Sequence, residues 1–164
     1  MFGQYMYIHI YLYLNMNLET SIKQIRVKNE HHKLMLNIIY SASTLNGEQT
    51  RFFKKYDISP QQYNVLRILR GQHPNMASVG LLQERMLDPM SNASRLVEKL
   101  KLKKLLTRKV CKDDRRQVDI LISPEGLKLL EEIDVESGYL ENKFEKLSKQ
   151  EAKQLNLLLD KLNE

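Results

Sequence analysis

The chain has 164 residues, a net charge of +6 at neutral pH and 28% charged side chains, a length that suits one domain with a sizeable buried core and excludes a second. No stretch reaches the run of about 20 apolar residues that a membrane-spanning helix needs. A single cysteine, Cys111, excludes an intrachain disulfide and fits a reducing compartment, so the expected location is cytoplasmic. Residues 5–14, YMYIHIYLYL, alternate Tyr or His with Met, Ile or Leu, a strand-like period with one aromatic face but no neighbouring segment to pair with. They also lack the basic flank and small-residue cleavage site of a secretory signal. Residues 1–15 are therefore expected to be a poorly ordered tail, with the natural start at Met16, where the composition becomes charged and amphipathic.

Between Lys28 and Lys55 the residues Leu34, Met35, Ile38, Ile39, Ala42, Leu45, Phe52 and Phe53 recur at three- and four-residue steps, which predicts a long amphipathic helix. Ser59, Pro60 and Gln62 then supply an N-cap, a first-turn proline and the closing member of a capping box. They open a helix that carries Tyr63, Val65, Leu66 and Leu69 and is expected to stop at Gly71. Residues 72–77 read as a loop around Pro74. Ser78 can cap a short helix through Leu81, Leu82, Met86 and Leu87, which must end near Asp88 because Pro89 cannot continue it.

Ser91 is expected to cap the next helix, where Ala93, Leu96, Val97 and Leu100 fall at i, i+3, i+4 and i+7 and form one buried stripe. The opposite face holds Asn92, Ser94, Arg95 and Lys99. After Leu106 the pattern alternates, with Thr107, Lys109 and Cys111 on one side and Arg108, Val110 and Lys112 on the other. Residues 113–116, DDRR, form a polar tip, and residues 117–122 alternate again as a returning strand. Ser123, Pro124 and Glu125 start another long helix with Leu127, Leu130, Ile133, Leu140, Phe144 and Leu147 as its apolar set. A second capping box, Ser148 with Glu151, introduces a last helix bearing Ala152, Leu155, Leu158, Leu159 and Leu162.

The predicted fold is mainly α with a small β-hairpin wing: a winged helix-turn-helix over about residues 58–122, flanked by long helices at about 28–56 and 124–164, all within one domain from residue 16 to 164. Charge is concentrated in the middle of that order. Residues 91–117 hold ten basic side chains against three acidic ones, whereas the rest of the chain has 16 basic and 17 acidic. Such a segment is the electrostatic footprint of a phosphate-binding surface or a solvated charged face. A helix that is apolar on one side and basic on the other, after a turn of three residues, has the form that enters a DNA major groove. The terminal helices carry more apolar surface than a small core can cover. They either pair with a second copy, as a two-fold homodimer with recognition helices roughly 34 Å apart, or pack on one another in a monomer.

Residues 58–69 (ISPQQYNVLRIL), 81–106 (LLQERMLDPMSNASRLVEKLKLKKLL) and 113–127 (DDRRQVDILISPEGL) resemble the MarR (multiple antibiotic resistance) family of transcription regulators. The resemblance covers most of residues 34–164. Its most specific part is the aspartate-x-arginine wing motif, Asp114 and Arg116, followed by an alternating strand and a serine shortly before Gly126. It implies a dimeric winged-helix fold, palindromic operator DNA, and repression relieved by a small phenolic ligand or by oxidation. One departure is Lys104, which stands where the family usually has glycine after the recognition helix. Lysine there either adopts a left-handed conformation at some cost or ends the helix differently.

Ser91, Asn92, Ser94, Arg95 and Lys99 share the exposed face of the recognition helix and are assigned to base edges and phosphates. Arg95 is the leading reader, since a guanidinium donates two bonds to guanine; the alternative is a surface salt bridge to Glu98. Arg116 matches the wing arginine that the family inserts into the minor groove, and Asp114 would orient it. Lys109, Lys112 and Arg115 either contact phosphate or solvate the wing. Tyr40, Tyr63 and Arg67 are candidates for an effector pocket, or else take part in ordinary interhelical packing.

Redox-sensing members of the family carry their cysteine near the start of the first long helix, so Cys111 reads as inert strand packing in spite of its basic neighbours. His9, His31, His32 and His73 have no metal-site spacing. No nucleophile elbow, phosphate loop or carboxylate pair appears, so neither enzymatic activity nor a cofactor is expected. The competing functional class is a winged-helix module whose basic face docks an acidic protein or RNA.

Overall fold

The computed structural model describes residue 18 and residues 27–110, 118–136, 138 and 142–164. The expected tail and start at residues 1–16 lie outside the described residues. The chain divides into two compact units, residues 1–47 and 48–164. The first contains most of helix α1, Glu30–Lys54, which continues across the boundary into the second. In the first unit Leu34, Met35, Ile39 and Tyr40 are exposed along that helix.

The second unit begins where α1 buries Phe52 and Phe53. Asp57 adopts a left-handed φ of 53°, and the Ile58 amide donates back to the Phe53 carbonyl. Helix α2, Pro60–Gln72, opens with the capping box read from the sequence: the Ser59 hydroxyl accepts from the Gln62 amide, and the Gln62 side chain accepts from the Ser59 amide. It runs one residue beyond Gly71. Helix α3, Val79–Arg85, is capped by Ser78 as expected but ends at Met86, before Pro89 can act on it.

Helix α4, Ala93–Leu102, follows. Strand β1, Leu106–Val110, pairs antiparallel with β2, Val118–Ile122, in the register Leu106 to Ile122 and Thr107 to Leu121. The Ala77 amide and carbonyl bond reciprocally to Ile120, at 2.8 and 2.9 Å. Residues 72–77, read as a loop, thus end in a buried bridge to the hairpin. A single alternating residue gives no periodic signal, which is why the bridge is invisible in sequence.

Helix α5, Pro124–Glu136, buries Leu130 and Ile133. The expected continuous helix to Leu147 does not follow. Phe144–Lys146 form a short 3-10 turn instead, and Phe144 and Leu147, expected in the apolar set of that helix, are exposed. Leu140 lies outside the described residues. Helix α6, Lys149–Asn163, has the Ser148–Glu151 capping box and buries none of its side chains.

One core unites the elements of the second unit other than α6 and the 3-10 turn: Phe53, Val65, Leu66, Leu69, Leu82, Val97, Leu100, Ile120, Leu130 and Ile133 are at most 1% exposed. Helices α2 and α3 and strand β1 pack on α4, so its inward stripe fixes which residues face outward. Loss of one such leucine to alanine would cost about 2–5 kcal/mol.

Candidate nucleic-acid interface

Helix α4 is amphipathic in the expected sense. Ala93, Val97 and Leu100 are buried, and Ser94, Arg95 and Lys99 are exposed on the other side. Leu96, expected in the buried stripe, is only half-buried. The N-cap is Asn92 rather than Ser91: the Asn92 Oδ1 accepts from the Arg95 amide at 2.9 Å. Ser91 instead donates its hydroxyl to Asp88 Oδ2 at 2.7 Å, while Asp88 Oδ1 accepts from the Met90 amide at 3.1 Å. The reason is local: Asp88, three residues ahead of Ser91, captures the Met90 amide and the Ser91 hydroxyl, leaving the next polar residue to cap.

Ser91, Asn92, Arg95 and Lys99 meet around one cleft of about 430 Å³, together with Leu96, Met90, and Ser59 and Gln61 from the start of α2. Sequence reasoning did not place Ser59, Gln61 or Met90 here. The first two follow from α2 packing on α4, which no local pattern announces. Met90 did carry a signal, because it is an apolar residue that no helical stripe requires.

The basic residues separate by use. Glu98 is paired with Arg108 of β1, not with Arg95. Lys103 pairs with Asp57 Oδ2 at 2.7 Å. Among the described residues, Arg95, Lys99, Lys101, Lys104 and Lys109 have no ion-pair partner, and all five are exposed. The hairpin sits on the core through Leu106, Ile120 and Ile122, and Lys109 opposes Asp119 across the strands. Cys111, Lys112, Asp114, Arg115 and Arg116 lie outside the described residues.

The C-terminal end of α4 is tied to α5. Lys104 takes the left-handed conformation, φ 60°, with its amide donating to Lys101 O at 2.9 Å and that of Leu105 donating to Leu100 O at 3.0 Å. This pair of bonds is a Schellman motif in which lysine occupies the usual glycine position. Ser123 Oγ donates to Lys104 O at 2.8 Å and accepts from the Gly126 amide at 3.0 Å, so one buried hydroxyl caps α5 and fastens the end of α4. Gly126 is required by close approach: a Cβ there would lie 2.2 Å from the Leu105 carbonyl oxygen.

Of the effector-pocket candidates, Tyr63 and Arg67 come together. Arg67 donates to the Tyr63 hydroxyl at 3.1 Å, Tyr63 stacks on Phe53 with centroids 4.4 Å apart, and Arg67 and Arg70 both reach Asp134 of α5. Tyr40 belongs to the first unit. A separate cleft of about 390 Å³ is lined by Glu48, Arg51, Phe52, Lys55 and Glu136. In it the hydrogen bond from Lys55 to Glu136 raises the lysine and, with Tyr56, lowers the glutamate, while burial pushes the Tyr56 hydroxyl up. Among the described residues no cluster of three or more His, Cys, Asp or Glu could hold a metal, and no helix is long and apolar enough to cross a membrane.

Residues 56–117 match the model of the MarR family. A MarR-like transcription regulator of Bacillus cereus superposes with a TM-score of 0.72 at 23% identity, over 82% of this chain and 96% of that one. MepR of S. aureus, solved in complex with DNA, superposes with a TM-score of 0.68 at 22% identity, over 76% and 92%. BpsR of Bordetella bronchiseptica, whose DNA binding is regulated by 6-hydroxynicotinic acid, gives 0.64 at 22% identity, over 78% and 99%. No curated protein matches the chain in sequence.

Proposed function

Residues 56–117 belong to the MarR family of transcription regulators, and from that premise we propose that this protein binds double-stranded DNA sequence-specifically, as a homodimer on a palindromic operator, and represses transcription. The observation that carries the reading is the outer face of α4, where Arg95 and Lys99 are exposed and without an ion-pair partner among the described residues, beside Ser91 and Asn92 in one cleft. Arg95 reads guanine. Asn92, whose Oδ1 is committed to the cap, still has its amide hydrogens to donate, and Ser94 and Lys99 contact base edges or phosphate. The wing contributes Lys109, Lys112, Arg115 and the minor-groove Arg116, with Asp114 as its orienting partner.

Dimerisation is supported by α6, whose Leu155, Leu157, Leu158 and Leu162 are exposed, more apolar surface than a solvated helix retains. Sedimentation should give about twice the 19.4 kDa of one chain. Release by a small ligand is the remaining part of the proposal, supported by BpsR, which responds to 6-hydroxynicotinic acid.

The test is the salt dependence of binding to the DNA upstream of the gene, with wild type beside Arg95→Ala and Arg116→Ala. The expected result is tight binding whose logarithm falls by about 0.9 per contacted phosphate for each tenfold rise in salt, with sequence preference relaxed in Arg95→Ala. A wild-type protein with no preference for any fragment over random DNA would transfer the reading to a module that docks protein or RNA.

A further inference from the structure

The turn between α3 and α4 is held by more bonds than a seven-residue connection needs. The Leu87 amide donates to Asn64 Oδ1 at 2.9 Å, Gln83 Nε2 donates to Pro89 O at 2.9 Å, and Asp88 accepts from both Met90 and Ser91. Despite this order, Met90 is 92% exposed, more than any other large apolar residue described, whereas Met86, four residues earlier, is buried. Isolated surface hydrophobes are common, but this one lines the cleft shared by Asn92, Arg95 and Lys99. It is also two residues before the cap of α4, at the end by which a recognition helix approaches base edges.

We infer that Met90 is a specificity-determining residue that packs against the C5 methyl of a thymine in the major groove, next to the base addressed by Arg95. An unbranched thioether suits this contact because it adapts to a methyl group without a polar atom to satisfy. The rigid turn reduces the ordering cost to that of the side chain alone. This inference rests on the DNA-binding reading above and adds an apolar contact to its polar and charged set.

The test uses the full-length protein and a duplex selected by wild type from a randomised library, with each thymine replaced in turn by deoxyuridine, which removes only the methyl. At one thymine per half-site, wild type should lose about fourfold in affinity, the worth of one buried methylene-sized group. Met90→Ala should be weaker on the parent duplex and indifferent to that replacement, while Met90→Leu should retain the sensitivity. If every replacement affects wild type and Met90→Ala equally, the inference is overturned although DNA binding stands. If wild type selects no sequence at all, the underlying reading fails and this inference with it.

Discussion

At its C-terminal end the backbone of α4 is fastened to the core: two backbone bonds of a Schellman motif, the Ser123 hydroxyl on Lys104 O, and Gly126 set against Leu105. At its N-terminal end the same helix is capped by Asn92 and presents Met90 and Arg95, both exposed, to the cleft that α2 also lines. The difference separates two tasks. Direct reading requires donors within hydrogen-bond reach of base edges, so in the proposed function the helix must be aimed, with its backbone fixed and its outward side chains left uncommitted. In the proposed function the N-terminal end keeps unused hydrogen-bonding and charge capacity for a ligand to satisfy. A buried group left in that state would cost about 1–3 kcal/mol, but at the surface water covers it until it is displaced.

The sharpest way to break this comparison is at the C-terminal end. Gly126→Ala places a methyl against backbone and against Ile122 Cγ1 at 2.8 Å, neither of which can retreat without moving α5 from α4. Overpacking of this kind is expected to cost about 3 kcal/mol, read as a lower urea midpoint, and DNA affinity should fall with stability. The N-terminal end should behave oppositely. Arg95→Ala should leave the urea midpoint nearly unchanged, as surface substitutions do within about 0.5 kcal/mol, yet lose about 1–3 kcal/mol of discrimination at one base pair. Equal losses of stability and discrimination in both variants would show that the two ends are not separate devices.

Much of this was legible in the sequence, and the exceptions have physical causes. The Ser59 and Ser148 boxes, the hairpin and the inner stripe of α4 depend on neighbours within a few residues, so local pattern sufficed. Ser91 was misread as the cap because the competing acceptor, Asp88, belongs to the preceding turn. Leu96 was assigned to the stripe by spacing alone, but it sits where the stripe meets the cleft. The Ala77 bridge and the contribution of Ser59 and Gln61 to the cleft depend on packing between segments far apart in sequence. Ser123 was read as the start of α5 and as part of the family likeness; its second bond, to the end of α4, depends on a segment 19 residues earlier and had no local signal.

Asn92 lies between the two regimes, because its side chain both caps α4 and lines the cleft. Asn92→Ala should cost about 1 kcal/mol of stability through the cap and additionally weaken binding through the lost amide, whereas Asn92→Asp should keep the cap. If the aspartate variant keeps the stability and still binds more weakly, the two roles are resolved.

The smallest expected effect tests whether the C-terminal end is as good as it can be. Lys104 carries a side chain through a left-handed conformation that costs an L-residue roughly 1–2 kcal/mol and glycine nothing, while glycine adds entropy to the unfolded chain. The Lys104 side chain is exposed and has no ion-pair partner among the described residues, so little is lost with it. Lys104→Gly should therefore stabilise by about 0.5–1 kcal/mol, raising the thermal midpoint. Its effect on DNA distinguishes two reasons for the lysine. Unchanged affinity would mean that the charge does not reach phosphate. A salt slope shallower by about one unit would mean that the strained position is occupied by lysine because it extends the basic surface from α4 towards the wing.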